Sequence, residues 1–412
     1  MTGADSSDSR IWKAIIIRSL YGLRASGNSY RHHLATCLQH LGYESCKADP
    51  DIWYKAESKP NGETYYAYLL VYVDDIMAIG TRPRDTLMKL NKYYKIKNDS
   101  IGPPDLYLGA KLKRITLEDG TTAWGQSSSK YVRSAIANVK DWISKRGYRL
   151  PSKCSTPMST SYRPELDISR ELASDEASFY QSMIGVLRWA VELGRIDIAT
   201  ETSMLAAHLA LPREGHMFAA FRVFAYLDKH HNSRLVFDPR IPSDDPRPTI
   251  SDWTQFYGNV EEAIPSNAPA PRGKAVTLRC FVDSDHAGDH ITRRSRTGYI
   301  ICVNSAPIQW YTKKQSTVES STFGAEFIAM KTAVEALRGL RYKLRMMGVE
   351  IDGPTNIFGD NMSVLHNTTA PESTLKKKAN AIAYHVVREA VAMGECLTSY
   401  IRSEENVAAR LI

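Results

Sequence analysis

Residues 65–80 read Tyr65-Tyr66-Ala67-Tyr68-Leu69-Leu70-Val71-Tyr72-Val73-Asp74-Asp75-Ile76-Met77-Ala78-Ile79-Gly80, an aromatic and aliphatic run broken at its middle by two adjacent carboxylates. Tyr, Val, Leu and Ile on both sides suit two strands, and the abrupt polar break predicts a hairpin. Ionised groups held between buried strands are costly unless they turn outward or bind a cation. Two readings therefore account for Asp74 and Asp75. In one, Asp-Asp is the two-residue loop of an ordinary hairpin, where Asp tolerates the turn angles and stays in water. In the other, the pair projects into an active site and holds a metal that lines up nucleotide phosphates for transfer.

A second pattern lies toward the end of the chain. Arg279-Cys280-Phe281-Val282-Asp283 reads as a strand ending on a carboxylate, followed by the polar turn Ser284-Asp285-His286-Ala287-Gly288-Asp289. Strands at residues 297–303 and 307–311 follow. Phe327, Met330, Val334, Leu337, Leu340, Leu344 and Met347 then recur at spacings of three and four, which predicts a long helix with Glu326 in its first turns. Beyond Gly348, Thr355-Asn356-Ile357-Phe358-Gly359-Asp360 is again a strand tipped by Asp. Cutting a phosphodiester by a two-metal route needs carboxylates brought by separate elements to one phosphate, and Asp283, Glu326 and Asp360 meet that need. Asp285 and Asp289 compete with Asp283, but a carboxylate at a strand end is better fixed than one in a loop. The plain alternative is that all three are exposed surface acids.

The 412 residues, 43% of them hydrophobic, suffice for a large core in two or three domains. Lys and Arg total 53 against 45 Asp and Glu, and the resulting charge of +8 favours a polyanionic partner. Cys37, Cys46, Cys154, Cys280, Cys302 and Cys396 have no paired spacing, so neither a disulfide framework nor a zinc site is expected, and a reducing compartment fits. The polar start of the chain lacks signal-peptide form, and its longest apolar run is interrupted at Asp74 and Asp75, so no membrane segment is expected. Pro239, Pro242, Pro246, Pro248, Pro265, Pro269 and Pro271 exclude a long helix or central strand and mark a tether, while Trp253, Phe256 and Tyr257 within it suggest packing on a neighbour. A softer break falls between Pro151 and Pro164. In the middle segment, Met183, Val186, Leu187 and Ala190, and later Phe221, Phe224, Ala225 and Leu227, recur at helical spacing and predict core packing. Lys89-Leu90-Asn91-Lys92-Tyr93-Tyr94-Lys95-Ile96-Lys97 interleaves cations with aromatics. Lys92 and Lys95 are candidate phosphate contacts there, with a solvated helix face as the alternative.

Tyr72-Val73-Asp74-Asp75 resembles the polymerase motif of reverse transcriptases. Ser19-Leu20-Tyr21-Gly22-Leu23-Arg24 and Lys47-Ala48-Asp49-Pro50-Asp51-Ile52-Trp53 upstream are similar in composition, order and distance to copia-type retrotransposon polyproteins. Tyr107-Leu108-Gly109, Tyr180-Gln181-Ser182-Met183-Ile184-Gly185 and Arg195-Ile196-Asp197-Ile198 keep the same family order. The succession carrying Asp283, Glu326 and Asp360 resembles ribonuclease H, with copia-like flanks at residues 283–289 and 359–363. The resemblance spans nearly the whole chain and implies an α/β protein. It divides into an α+β palm and thumb fragment of a reverse transcriptase over residues 1–150, a helical connection over 151–237, the Pro-rich tether over 238–274, and a ribonuclease H-like domain with a mixed five-stranded sheet over 275–412.

The same resemblance implies Mg²⁺, two ions per active site with Mn²⁺ able to substitute, held at Asp283, Glu326 and Asp360 and at Asp74 and Asp75. It implies an RNA:DNA hybrid or an RNA or DNA template as partner, no membrane, other copies of the polyprotein as further partners, and a cytoplasmic location in virus-like particles or a nuclear one. Arg293, Arg294 and Arg296, with Lys376, Lys377 and Lys378, are candidate phosphate contacts on such a hybrid, or else a solubilising surface. Two departures qualify the expectation. The family places a further catalytic Asp upstream of the Tyr-Gly-Leu segment, and nothing between Met1 and Arg18 resembles that strand. Asp5 and Asp8 read as disordered terminus, so polymerase activity is not expected from the chain alone. The family also closes with an Asn and then Ala-Asp before a Thr-Lys, whereas this chain reads Asn406-Val407-Ala408-Ala409-Arg410, with Ala409 where the Asp is expected. A weakened nuclease is expected, with Glu404 or Glu405 reaching in as a substitute; the alternative is a catalytically dead relic that binds nucleic acid or acts as a scaffold.

Overall fold

The computed structural model describes residues 26–73, 75–94, 96, 100–243, 250–375 and 378–412. Asp74, Lys95, Lys376 and Lys377 lie outside the described residues, as do segments 1–25 and 244–249. The chain divides into two compact units between Gly102 and Pro103. The expected palm and thumb segment, residues 1–150, spans this division.

The first unit holds α1 (Ser26–His40), β1 (Glu44–Cys46), β2 (Asp49–Ser58), β3 (Thr64–Tyr72), β4 (Asp75–Ile79) and α2 (Pro83–Leu90). The four strands form one antiparallel sheet in sequence order. Alternation along β3 turns Leu69 and Val71 inward onto Leu34 and Leu38 of α1 and Leu90 of α2. Tyr72 pairs with Asp75, so Asp75 belongs to the strand ladder and is not a loop residue of the hairpin. Val73 carries the positive φ of 55° that a two-residue hairpin loop requires, a costly setting for a β-branched residue. Asp75 is thereby the exposed first residue of β4. Lys92 is exposed in a turn beyond the end of α2, not on a helix face.

The second unit opens with β5 (Leu106–Tyr107), β6 (Ala110–Thr116) and β7 (Thr122–Ser127), and with α3 (Ser129–Ser144). It continues through α4 (Ser174–Glu192), α5 (Ala199–Ala206), α6 (Glu214–Lys229) and β8 (Leu235–Phe237). β8 returns to pair with β7, Trp124 opposite Phe237, which joins residues 106–127 to the helical segment. Val132, Ile136, Tyr180, Met183, Leu187, Phe221 and Phe224 fill one core among α3, α4 and α6.

The last part comprises α7 (Thr254–Tyr257), β9 (Leu278–Ser284), β10 (Arg296–Val303), β11 (Ala306–Lys314), α8 (Thr322–Met346), β12 (Thr355–Gly359), α9 (Met362–Thr369), α10 (Ala381–Ala392) and β13 (Cys396–Tyr400). The sheet order is β11-β10-β9-β12-β13. β9, β10 and β11 form an antiparallel meander, whereas β12 is parallel to both β9 and β13. Parallel neighbours need a crossover, which α8 supplies before β12 and α9 and α10 before β13. This is the mixed five-stranded sheet expected for this part of the chain. One face packs Cys280, Val282 and Ile301 against Phe327, Met330, Val334 and Leu337 of α8 and Val387 and Ala390 of α10. On the other, Ile300 and Cys302 meet Ala199 of α5 and Leu411.

The Pro-rich segment is not a free tether. Prolines bar ladder and helix hydrogen bonds without barring side-chain packing. Trp253 is only 5% exposed in the α8–α10 core, with the Arg388 guanidinium 4.7 Å from its ring centroid. Glu262 accepts from Arg341 at 2.7 Å and Arg345 at 2.8 Å on α8. All six cysteines are buried, and none is joined in a disulfide. No helix among the described residues is long and apolar enough to cross a membrane.

Candidate metal centre

β9 and β12 run parallel with Phe281 beside Phe358, so the same register brings Asp283 and Asp360 level with each other at adjacent strands. They stand at the carboxyl ends of the two strands, where the neighbours of β9 change from antiparallel to parallel; such switch points are where open α/β sheets present a crevice. Ser321 caps α8 by accepting from the Gly324 amide at 3.2 Å, which fixes Glu326 in the second turn. One carboxylate oxygen from each of Asp283, Glu326 and Asp360 lies within 4.8 Å of the others. The structure thus brings together the three acids picked from the carboxy-terminal pattern.

The acids are not simple surface groups. Asp283 is buried and takes the Ser284 amide at 2.8 Å, and Asp360 takes the Ser403 hydroxyl at 2.5 Å. Burial, with Asp360 close by, pushes the Asp283 carboxyl above its usual range. Glu326 is raised as well, by burial and then by Asp283 and Asp360. Crowding buried like charges is unfavourable, and a cation among them relieves it. An all-carboxylate donor set of this kind suits a hard divalent ion, so the residues fit the metal that the sequence implies.

The rival acids are engaged otherwise. Asp285 accepts from the Arg296 amide at 2.5 Å, and a Cβ on Gly288 would fall 1.9 Å from its Oδ2, so the turn closes tightly around it. Asp289 bonds Lys314 at 2.5 Å and takes the Thr292 amide at 2.6 Å. Burial pushes the Asp289 carboxyl up, but Lys314 and Thr292 outweigh it and hold it down at about 2. Arg296, expected as a phosphate contact, is instead spent inside the fold: its Nη1 donates to Ser203 at 2.8 Å and Thr312 at 3.3 Å. Arg293, Arg294 and Lys378 are exposed. Asp75 belongs to the first unit and forms no part of this cluster.

Ala409 sits in the closing 3-10 helix Val407–Leu411. Asn406, 3% exposed, donates from Nδ2 to the Val282 carbonyl at 2.9 Å and accepts from the Ala408 amide at 3.1 Å. Glu404 and Glu405 do not replace the missing acid, for they face solvent within reach of Arg402 at 4.0 and 3.7 Å. Sequence reasoning overlooked Asn406 and Ser403 as supports. An Asn just ahead of a short helix was the one available signal for the first, and nothing local marked the second.

No family model matches the chain. Across 96% of its length it is 23% identical over 397 residues to the retrovirus-related Pol polyprotein from transposon RE1 of Arabidopsis thaliana, covering 23% of that protein. It is 24% identical over 406 residues to the corresponding polyprotein from transposon TNT 1-94 of Nicotiana tabacum, covering 96% of this chain and 26% of the relative. These homologues are copia-type, and the chain spans about a quarter of their length. Among solved structures, LC11-RNase H1 in complex with RNA/DNA hybrid aligns with 33% of this chain and 93% of its own, at 14% identity and a TM-score of 0.27.

Proposed function

We propose that this chain, homologous over nearly its whole length to copia-type Pol polyproteins, is a carboxy-terminal part of such a polyprotein and hydrolyses the RNA strand of RNA:DNA hybrids at Asp283, Glu326 and Asp360. The observation that carries this reading is the convergence of three carboxylates from β9, α8 and the end of β12, their oxygens within 4.8 Å. These residues would hold two Mg²⁺ ions, with Mn²⁺ able to substitute. When bound, the ions supply charge neutralisation at the scissile phosphate and activation of the attacking water. The Ser284 amide would hold Asp283, and the Ser403 hydroxyl Asp360, in place for the ions. The depth of Asp283 and Glu326 keeps competing water away from them, which strengthens their pull on a cation. Arg293, Arg294 and Lys378 are proposed to take phosphates of the hybrid.

The test is cleavage of labelled RNA:DNA hybrid, single-stranded RNA and duplex DNA by the full chain with Mg²⁺, Mn²⁺ or chelator. Hybrid alone should be cut, chelator should stop it, and Asp360→Asn should lower the rate by about a hundredfold or more. Cleavage indifferent to chelator or to Asp360→Asn would refute the assignment. A second reading, binding without cutting, is favoured by Ala409 at the fourth position. It predicts hybrid binding unaffected by chelator and no cleavage with either metal.

A further inference from the structure

Glu319 lies in the loop between β11 and α8, in the same polar stretch that leads to Glu326. Its carboxylate takes the Thr317 hydroxyl at 3.1 Å on one oxygen and the Asn380 side-chain amide at 3.0 Å on the other. Its backbone carbonyl lies 3.2 Å from Nε2 of His286. A carbonyl only accepts, so Nε2 of His286 carries the proton. Asn380 is 2% exposed, and a Cβ on Gly324 would meet the Glu319 carboxylate at 2.5 Å, so this carboxylate folds against the first turn of the helix that bears Glu326.

Three loops therefore meet at one residue. His286 opens the β9–β10 loop that follows Asp283 and displays Arg293 and Arg294; Asn380 closes the loop that displays Lys378. We propose that Glu319 is a positioning residue that holds the loops bearing Arg293, Arg294 and Lys378 in register with the carboxylate cluster, so that phosphates of a hybrid meet cations on both sides of it. This rests on the reading of the site as one that binds hybrid. Glu319 touches neither substrate nor metal. Its main chain holds His286 and its side chain holds Asn380, so a side-chain change acts through Asn380 and should govern affinity and the number of phosphates contacted more than the chemical step.

The test compares the full chain with Glu319→Ala, Glu319→Gln and Asn380→Ala by fluorescence anisotropy on a labelled hybrid in chelator, across a series of salt concentrations. Gln keeps an oxygen for Asn380 and an amide for Thr317, so it should bind like the parent. Glu319→Ala should raise Kd about tenfold and shallow the salt dependence by about one phosphate contact, and Asn380→Ala should move both in the same direction. Melting temperatures identify any variant that has unfolded, in which case the Gln and Asn380 variants carry the comparison. A folded Glu319→Ala with the parent's Kd and salt slope overturns the proposal, as does an equal loss in Gln and Ala. Absence of cleavage by the unaltered chain with metal would sink the nuclease reading, whereas the binding comparison decides Glu319 either way.

Discussion

Trp253 tests whether the Pro-rich segment belongs to the core between α8 and α10. It is 5% exposed among residues of α8 and α10, and the Arg388 guanidinium, itself 2% exposed, stacks 4.7 Å from its ring centroid. Truncating a buried Trp to Ala costs about 3–5 kcal/mol, and a desolvated cation–π contact accounts for about 1–2 kcal/mol. The two overlap, so about 4 kcal/mol is expected for Trp253→Ala. Domains are stable by only about 5–15 kcal/mol, so the loss is severe without forcing complete unfolding. Native-state hydrogen exchange of the α10 amides in the full chain reads it directly: about 4 kcal/mol corresponds to a fall in protection of roughly a thousandfold. Phe256→Ala in the same segment is the control, since Phe256 is 48% exposed and its ring centroid is 6.0 Å from Arg388. It should change protection by less than about tenfold. A Trp253→Ala effect as small as that control would mean the segment is a linker after all.

Glu262→Gln should cost about 3 kcal/mol at neutral pH, because it leaves Arg341, 3% exposed, without its anion; urea denaturation checks it. Burial pushes the Glu262 carboxyl up, but Arg341 and Arg345 outweigh burial and hold it below its usual range. Its stabilisation is then present above the unfolded carboxylate value of about 4.3 and lost as pH falls through the lower folded one. Glu262→Gln should flatten that acid limb, measured as melting temperature against pH. Gly298→Ala places a Cβ 2.7 Å from that of Leu411 and 3.1 Å from the Ala408 carbonyl, so it should destabilise by about 1–3 kcal/mol in denaturant titration. Glu326→Gln removes one of three crowded acids. It should stabilise the metal-free protein by about 1 kcal/mol while weakening Mn²⁺ binding in calorimetry, and equal loss of both would contradict the crowding argument.

The three clustered acids were legible in the sequence because each closes or opens an element with a strong period. Strand alternation up to Asp283 and Asp360, and the threes and fours after Glu326, place the three carboxylates before any coordinates are known. Their meeting follows from β9 and β12 being parallel neighbours, which strand order alone decides. The packing of the Pro-rich segment was legible too, from its aromatic residues, of which Trp253 is buried. Two things were not legible. The hairpin register moved by one residue because Tyr72 and Asp75 pair, and flanking composition is the same for either register. Arg296 looked like its exposed neighbours Arg293 and Arg294, yet it falls on a strand and turns inward to Ser203, a partner distant in sequence.

Position 409 separates scaffold from chemistry. Asn406 ties the start of the closing helix to the Val282 carbonyl, next to Asp283, and Leu411 anchors its end among Ile300 and Cys302. Neither contact involves the Ala409 side chain, which is half-buried. The backbone that would carry a fourth ligand is therefore held beside β9 by groups that remain. Restoring the acid should cost little in folding, within about 0.5 kcal/mol by melting, because it enters a preformed turn. Its gain should appear in metal dependence: an added carboxylate should lower the half-saturating Mg²⁺ concentration for hybrid cleavage by about tenfold, with less change at saturating metal. Ala409→Asn keeps the size without the charge and should leave the metal requirement where it is. If Ala409→Asp and Ala409→Asn shift the Mg²⁺ curve alike, the fourth position has no ligand role in this chain, and the three acids constitute the whole site.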